Sequence, residues 1–200
     1  MSERQVPLFP LSTVLYPGGP LPLRLFEARY IDMVGRCMRT SEPFGVVAIS
    51  EGREVGPSLI HTTGTLAVIS DFYQGSDGLL GITATGTDRF AVLHEDAADD
   101  GLRIGTIKTL PAEPVATLPS RFSPLAQMLD SILDDLGKLY EGHERQLDDA
   151  SWVGYRYCEI LPMSVAQKQH CLEMVDPVAR LDIVAALLSR ATKVSDDSPS

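Results

Sequence analysis

Pro7, Pro10, Pro17, Pro20 and Pro22 all fall inside the opening stretch VPLFPLSTVLYPGGPLPLRLFEARY, Val6 to Tyr30. Proline fixes φ and carries no backbone N–H, so neither a helix nor a centrally paired strand is expected to run through this segment. Its apolar runs read as short edge strands joined by turns. Tyr16-Pro17-Gly18-Gly19 is the clearest turn, because Pro17 presets the first corner and Gly18 can take a positive φ at the second. The chain then continues as a strand over Leu21 to Leu25 and enters a helix near Glu27. A segment interrupted in this way is expected to leave a strand edge or a shallow apolar groove beside Leu8, Phe9, Leu15 and Tyr16. Such an edge can accept an extended peptide. Tyr16, with its hydroxyl next to the turn, is expected to lie nearest the surface; the competing reading is that all four residues are core.

Beyond this stretch, Tyr30, Ile31, Val34, Cys37 and Met38 fall at helical spacing, with Arg29, Asp32, Arg36 and Arg39 between them, which predicts an amphipathic helix ending before Pro43. Glu27 and Arg29 read as a helix-start acid and an ion pair tying the helix to a sheet. Short strand-like runs follow at Phe44 to Ile49, Thr62 to Tyr73, Leu79 to Thr85, Arg89 to His94 and Leu102 to Leu110. Gln74 to Gly78 is a hairpin loop between the second and third of these, and Glu95 to Gly101 is an acidic loop. Short strands at turn-punctuated intervals around one early helix argue for a small β-barrel or a strongly curved sheet.

Pro111 to Pro124 contains four prolines and reads as a linker. Four helices are predicted after it. The first runs from Ser123-Pro124 to Gly142 with Leu125, Met128, Leu129, Ile132, Leu133, Leu136, Leu139 and Tyr140 as its apolar stripe. The second covers roughly Asp149 to Leu161, the third opens on a Ser164/Gln167 capping box and runs through Met174, and the fourth is capped by Asp176-Pro177. Short connections between helices predict a bundle. The domain expectation is therefore 1–116 β-rich, 117–192 a four-helix bundle, and 193–200 a polar disordered tail.

The order LFPL, LYPG, LPL, FEARY resembles the start of the Lon protease N-terminal domain, the Lon substrate-binding domain, especially in its free-standing bacterial versions. The resemblance extends along the chain. Gly64-Thr65 with Ala67 and Ile69 is similar to the family's GTxAxI strand, Gly86 to Phe90 (GTDRF) to its GxxRF corner, and Leu161 to Gln169 to its LPxSxxxKQ segment. It implies an α+β fold, with a PUA-like β pseudobarrel carrying one inserted helix, followed by a C-terminal helical bundle. It also implies a non-catalytic module that binds unfolded or client protein segments, with an adaptor role in protein quality control. Full-length Lon proteases carry ATPase and Ser-Lys protease modules after this region; these 200 residues contain neither, nor a GxxxxGK[ST] phosphate loop, so no enzymatic activity is expected. The alternative is a small-ligand-binding protein or an unrecognised enzyme on a PUA-like barrel.

Composition excludes other classes. A formal net charge of −10 opposes the Lys/Arg footprint that neutralises phosphates, so nucleic acid is not an expected partner. No apolar run approaches the roughly 20 residues of a membrane span, which predicts no membrane association and a cytoplasmic protein. Cys37, Cys158 and Cys171 are odd in number and far apart, hence read as buried reduced thiols with neither disulfide nor zinc site. His61, His94, His143 and His170 form no catalytic spacing, and neighbours such as His170 and Cys171 on a helix point about 100° apart. No catalytic residue, metal or cofactor is expected.

Overall fold

The computed structural model describes residues 3–75 and 78–196, those from 191 onward by backbone alone. In chain order the elements are β1 (Glu3–Leu11), β2 (Pro20–Leu25), α1 (Ala28–Thr40), β3 (Phe44–Gly52), β4 (Ser58–Gln74), β5 (Leu80–Ala97), β6 (Arg103–Thr109), α2 (Ser123–Leu136), α3 (Ala150–Ile160), α4 (Val165–Glu173) and α5 (Pro177–Asp196). The fold is mixed α+β. Two compact units are formed, Met1–Ala112 with Met163–Leu172, and Glu113–Pro162 with Glu173–Ser200.

In the first unit the strands follow the order β2-β5-β4-β3-β1-β6, and β5 pairs with β6 as well, so β5, β4, β3, β1 and β6 form a closed hydrogen-bonded ring. Length makes closure possible. The first half of β5 pairs with β2 from Leu80 to Thr85, and its second half pairs with β6 from Phe90 to Ala97. The two strands expected on either side of Gly86-Thr87-Asp88 are thus one. Gly86 marks a close approach rather than a strand end: it accepts from Gly18 N–H at 2.8 Å and donates to Gly19 O at 2.9 Å, and a Cβ there would lie 2.2 Å from the Tyr16 carbonyl oxygen. Gly18 takes φ 71°, as the turn requires.

The expectation that the whole opening stretch lies at edges is corrected for β1, which has two neighbours. Glu3 to Leu8 pairs with β6 and Leu8 to Leu11 pairs with β3, so only Leu8 has partners on both sides. Pro7 and Pro10 each sit in a half of β1 with one partner strand, where a missing donor can face away from the ladder. β2 is an edge strand as expected, with β5 as its only strand partner.

α1 covers the sheet with Tyr30, Met33, Val34 and Cys37 buried against Phe9, Phe44, Val46 and Ile82. Met33 takes the place expected for Ile31 and Met38, which are 40% and 46% exposed. Phe9 stacks on Tyr30 at 4.0 Å between centroids. Leu8, Leu66, Phe90 and Ile107 form a second cluster. Gly75 N–H donates to Leu79 O at 2.8 Å across the β4–β5 hairpin, whose residues 76 and 77 lie outside the described residues.

The expected bundle of four helices loses one member to the first unit. Residues 165–172 of α4 belong there, held by three side-chain hydrogen bonds, two donated from the β region and one by the helix itself. Tyr16 Oη donates to Lys168 O at 2.7 Å, Gln169 Nε2 to Thr63 O at 3.0 Å, and Arg89 to Leu172 O at 2.8 Å. The α4 start is as predicted, with Ser164 N–H to Gln167 Oε1 at 2.9 Å and Gln167 N–H to Ser164 Oγ at 3.2 Å.

The second unit packs α3 against α2 and α5. Ala126, Leu129 and Leu133 of α2, Val153 and Tyr157 of α3, and Leu181 and Val184 of α5 are buried. α2 stops at Leu136, short of the expected Gly142, because Gly137 takes φ 54° and opens a 3-10 turn. The predicted linker is anchored within this unit. The buried Glu113 accepts from Tyr155 Oη and from the buried Arg180 guanidinium, whose Nη2 also reaches Met174 O at 2.9 Å. Helix α5 continues to Asp196, where a disordered tail was expected from 193; residues 197–200 lie outside the described residues.

Candidate functional site

The four residues singled out for binding lie inside the first unit. Leu8 and Tyr16 are 0% exposed, Leu15 3% and Phe9 7%. Tyr16, expected nearest the surface, is instead enclosed with its hydroxyl on Lys168 O. The reason is position: Leu8 is the doubly paired residue of β1, and the Leu15 and Tyr16 backbones meet β4 and β5, with Thr65 Oγ1 donating to Leu15 O at 2.6 Å. The side chains of Leu8, Leu15 and Tyr16 are core.

A shallow groove does open beside them. It encloses about 320 Å³ between Phe9 and Leu11 of β1, Leu21 and Leu23 of β2, and Phe26 and Tyr30 at the start of α1. Phe9 is thus the one predicted residue that lines it. Phe26, 60% exposed, stands at its rim. Phe26 was not singled out from the sequence, although a signal existed: Leu21, Leu23 and Leu25 alternate toward the core, so a residue directly after Leu25 is expected to face the other way, where an aromatic is out of place unless it meets something.

The polar border is ordered by the backbone. Arg29 bridges Glu27 at 2.6 Å and donates to Gly101 O at 2.9 Å, so the expected ion pair closes within the start of α1 and it is the backbone acceptor that ties the helix to the β5–β6 loop. Glu54 Oε1 accepts the Ser12 N–H at 2.7 Å. Burial raises the pKa of Tyr30, partly offset by the neighbouring Arg29 guanidinium, so its phenol stays neutral against the Phe9 ring.

The strand edge next to the groove is blunted, which corrects the expected peptide pairing through main-chain hydrogen bonds. Pro20 and Pro22 are two residues apart, so both missing N–H groups fall on the same edge of β2. The β5 ladder must then run through Leu21, Leu23 and Leu25. The edge away from β5 lacks the donors of Pro20 and Pro22. Recognition here falls to apolar side chains.

Reactive groups are dispersed. No cluster of three or more His, Cys, Asp or Glu residues with metal-holding geometry is found among the described residues. Cys37, Cys158 and Cys171 are free and buried. His94 pairs with Asp96 at 3.2 Å on the surface. Among the described residues no helix is long and apolar enough to cross a membrane.

Residues 5–190 match the family model of the ATP-dependent protease La (LON) substrate-binding domain. The chain is similar to the crystal structure of a Lon N-terminal domain protein from Xanthomonas campestris, with TM-score 0.74 and 36% identity, covering 92% of this chain and 98% of that one. It is 27% identical over 207 residues to a Lon protease of Phenylobacterium zucineum, covering 97% of this chain and 25% of that protein. A shorter match, 27% identical over 111 residues, is to protein cereblon of Xenopus tropicalis, covering 55% of this chain and 25% of that protein. The chain spans about a quarter of the length of these curated relatives. With the family model running almost end to end, the chain belongs to the LON substrate-binding domain family.

Proposed function

We propose that this chain is a non-catalytic module that binds unfolded or client protein segments, and that it serves as an adaptor in cytoplasmic protein quality control. In this reading the first unit is a PUA-like pseudobarrel, followed by a helical bundle. The observation that carries it is the groove beside β2, an apolar surface with an aromatic side chain, Phe26, 60% exposed at its rim. Exposed aromatics over apolar clefts are the side chains that dominate binding energies in protein interfaces. Membership of a substrate-binding family supports a protein partner, and the net charge of −10 favours protein over nucleic acid. Three free buried cysteines suit a reducing compartment.

The test is fluorescence anisotropy with labelled peptides from an unfolded model protein. Micromolar binding is expected. Phe26→Ser weakens it by about tenfold, the size of an interface anchor, with little change in melting temperature because the ring is largely in water. Unchanged binding by Phe26→Ser, or no binding by the wild-type chain, overturns the proposal.

A further inference from the structure

A second groove lies at the other end of α1, about 20 Å along the helix from Glu27. It encloses about 430 Å³ between the last turn of α1 and the outer part of β4, where Met38, Val68 and Phe72 line it over Cys37. Phe72 is 62% exposed, Met38 46% and Val68 39%. The β4 backbone is open here, because pairing with β3 ends at Ala67 while pairing with β5 continues to Gln74. This edge too is blunted. A register shift falls between Ile69 and Asp71, and Asp71 Oδ1 accepts the Phe72 N–H at 2.8 Å.

The charge of this groove distinguishes it. Among the described residues, Glu42 and Asp71 are its only ionisable side chains apart from Cys37, and no Lys, Arg or His lines it. Arg36 and Arg39, on the same helix, line an adjoining hollow that shares Cys37 and Glu42 with this groove but not its apolar wall of Met38, Val68 and Phe72. The first groove, by contrast, sets Arg24 beside its two carboxylates, Glu27 and Glu54. An apolar floor bordered by carboxylates alone is complementary to a segment that is apolar and basic. We infer that this second groove binds client segments in which bulky apolar residues are flanked by Lys or Arg. The inference rests on the client-binding reading for the class of partner, while the groove and its selectivity are additional to it.

The experiment uses the full chain and two fluorescent peptides with the same Phe-Leu centre, one flanked by lysines and one by glutamates. The lysine peptide is expected to bind about tenfold tighter at low salt, roughly threefold for each exposed carboxylate, and the gap narrows as salt is added. Glu42→Gln with Asp71→Asn brings the two peptides close to parity; the amide oxygen that Asp71→Asn leaves in place still accepts from Phe72 N–H, so the edge is preserved. Phe72→Ser weakens the lysine peptide about tenfold without lowering the melting temperature, and Phe26→Ser does not. Should Phe72→Ser melt early, Met38→Gln takes its place. Equal affinity for both peptides, or a lysine preference that survives the double substitution, overturns the inference. Loss of binding in Phe26→Ser but not in Phe72→Ser overturns it too, yet leaves the client-binding reading standing. If neither peptide binds, both fall. Self-association abolished by Phe72→Ser and unaffected by peptide assigns the groove to a second copy of the chain and also overturns it.

Discussion

The Tyr16 hydroxyl donates a 2.7 Å hydrogen bond to the carbonyl oxygen of Lys168, joining the opening turn to helix α4 across 152 residues of sequence. The ring is 0% exposed, so the phenol is withdrawn from water and finds an acceptor in Lys168 O. Tyr16→Phe is expected to leave Lys168 O short of this donor at a cost of about 1 to 2 kcal/mol. Tyr16→Ala adds a cavity and should cost about 3 to 5 kcal/mol. Chemical denaturation of the two variants checks both figures. Equal stability of Tyr16→Phe and wild type would mean water replaces the bond.

Gly86 lies against the same turn. A methyl there would meet the Tyr16 carbonyl oxygen at 2.2 Å, and backbone cannot yield as a flexible side chain would. Gly86→Ala should therefore lower stability by more than about 2 kcal/mol. By comparison Gly56→Ala, with nothing within 4 Å but a φ of 108°, should show only the smaller cost of a strained backbone. Thermal melts of the pair separate steric from conformational cost.

What the sequence made legible was local. The Tyr16 to Gly19 turn, the Ser164/Gln167 box and the start of α5 at Asp176 all depend on residues within one turn of each other, and all are present. The two-partner pairing of β1, the continuity of β5 through Gly86 and the place of α4 depend on neighbours far along the chain, which periodicity does not encode. Glu113 read as a linker residue because the arginine that buries it is 67 positions away. The burial of Leu8, Leu15 and Tyr16 was hidden for a related reason. Proline interruptions pointed to an edge strand, and β2 is one, but which leucine or phenylalanine faces the hollow beside it depends on the strands packed behind it.

Helix phase gives a paired prediction in the second unit. Leu133 is 1% exposed within the apolar face of α2, and Leu133→Ala should cost about 2 to 5 kcal/mol through lost burial and a residual cavity. Asp134 is one position round, 69% exposed, and bridges Arg145 at 2.6 Å. Arg145 keeps Asp130 as a second partner, so Asp134→Ala should cost about 0.5 kcal/mol or less. Equal denaturation midpoints would contradict the placement of the stripe.

The Glu113–Arg180 pair makes stability depend on pH with a definite sign. Burial alone would push the Glu113 carboxyl up, but hydrogen bonds from Arg180 and Tyr155 outweigh it and hold the group below its ordinary value of 4.5. A carboxyl more acidic in the folded state than in the unfolded chain stabilises the fold above about pH 4.5, and that contribution is lost as pH falls through the lowered folded value. Denaturation midpoints measured from pH 7 down to pH 3 should fall more steeply for the wild type than for Glu113→Gln, which is uncharged throughout. Removing the partner is worse than removing the charge, because Arg180→Ala strands a buried carboxylate and should cost about 3 to 5 kcal/mol at pH 7. Part of that loss should return at low pH, where Glu113 can protonate; parallel pH profiles for wild type and Glu113→Gln would show that the pair does not govern the acid limb.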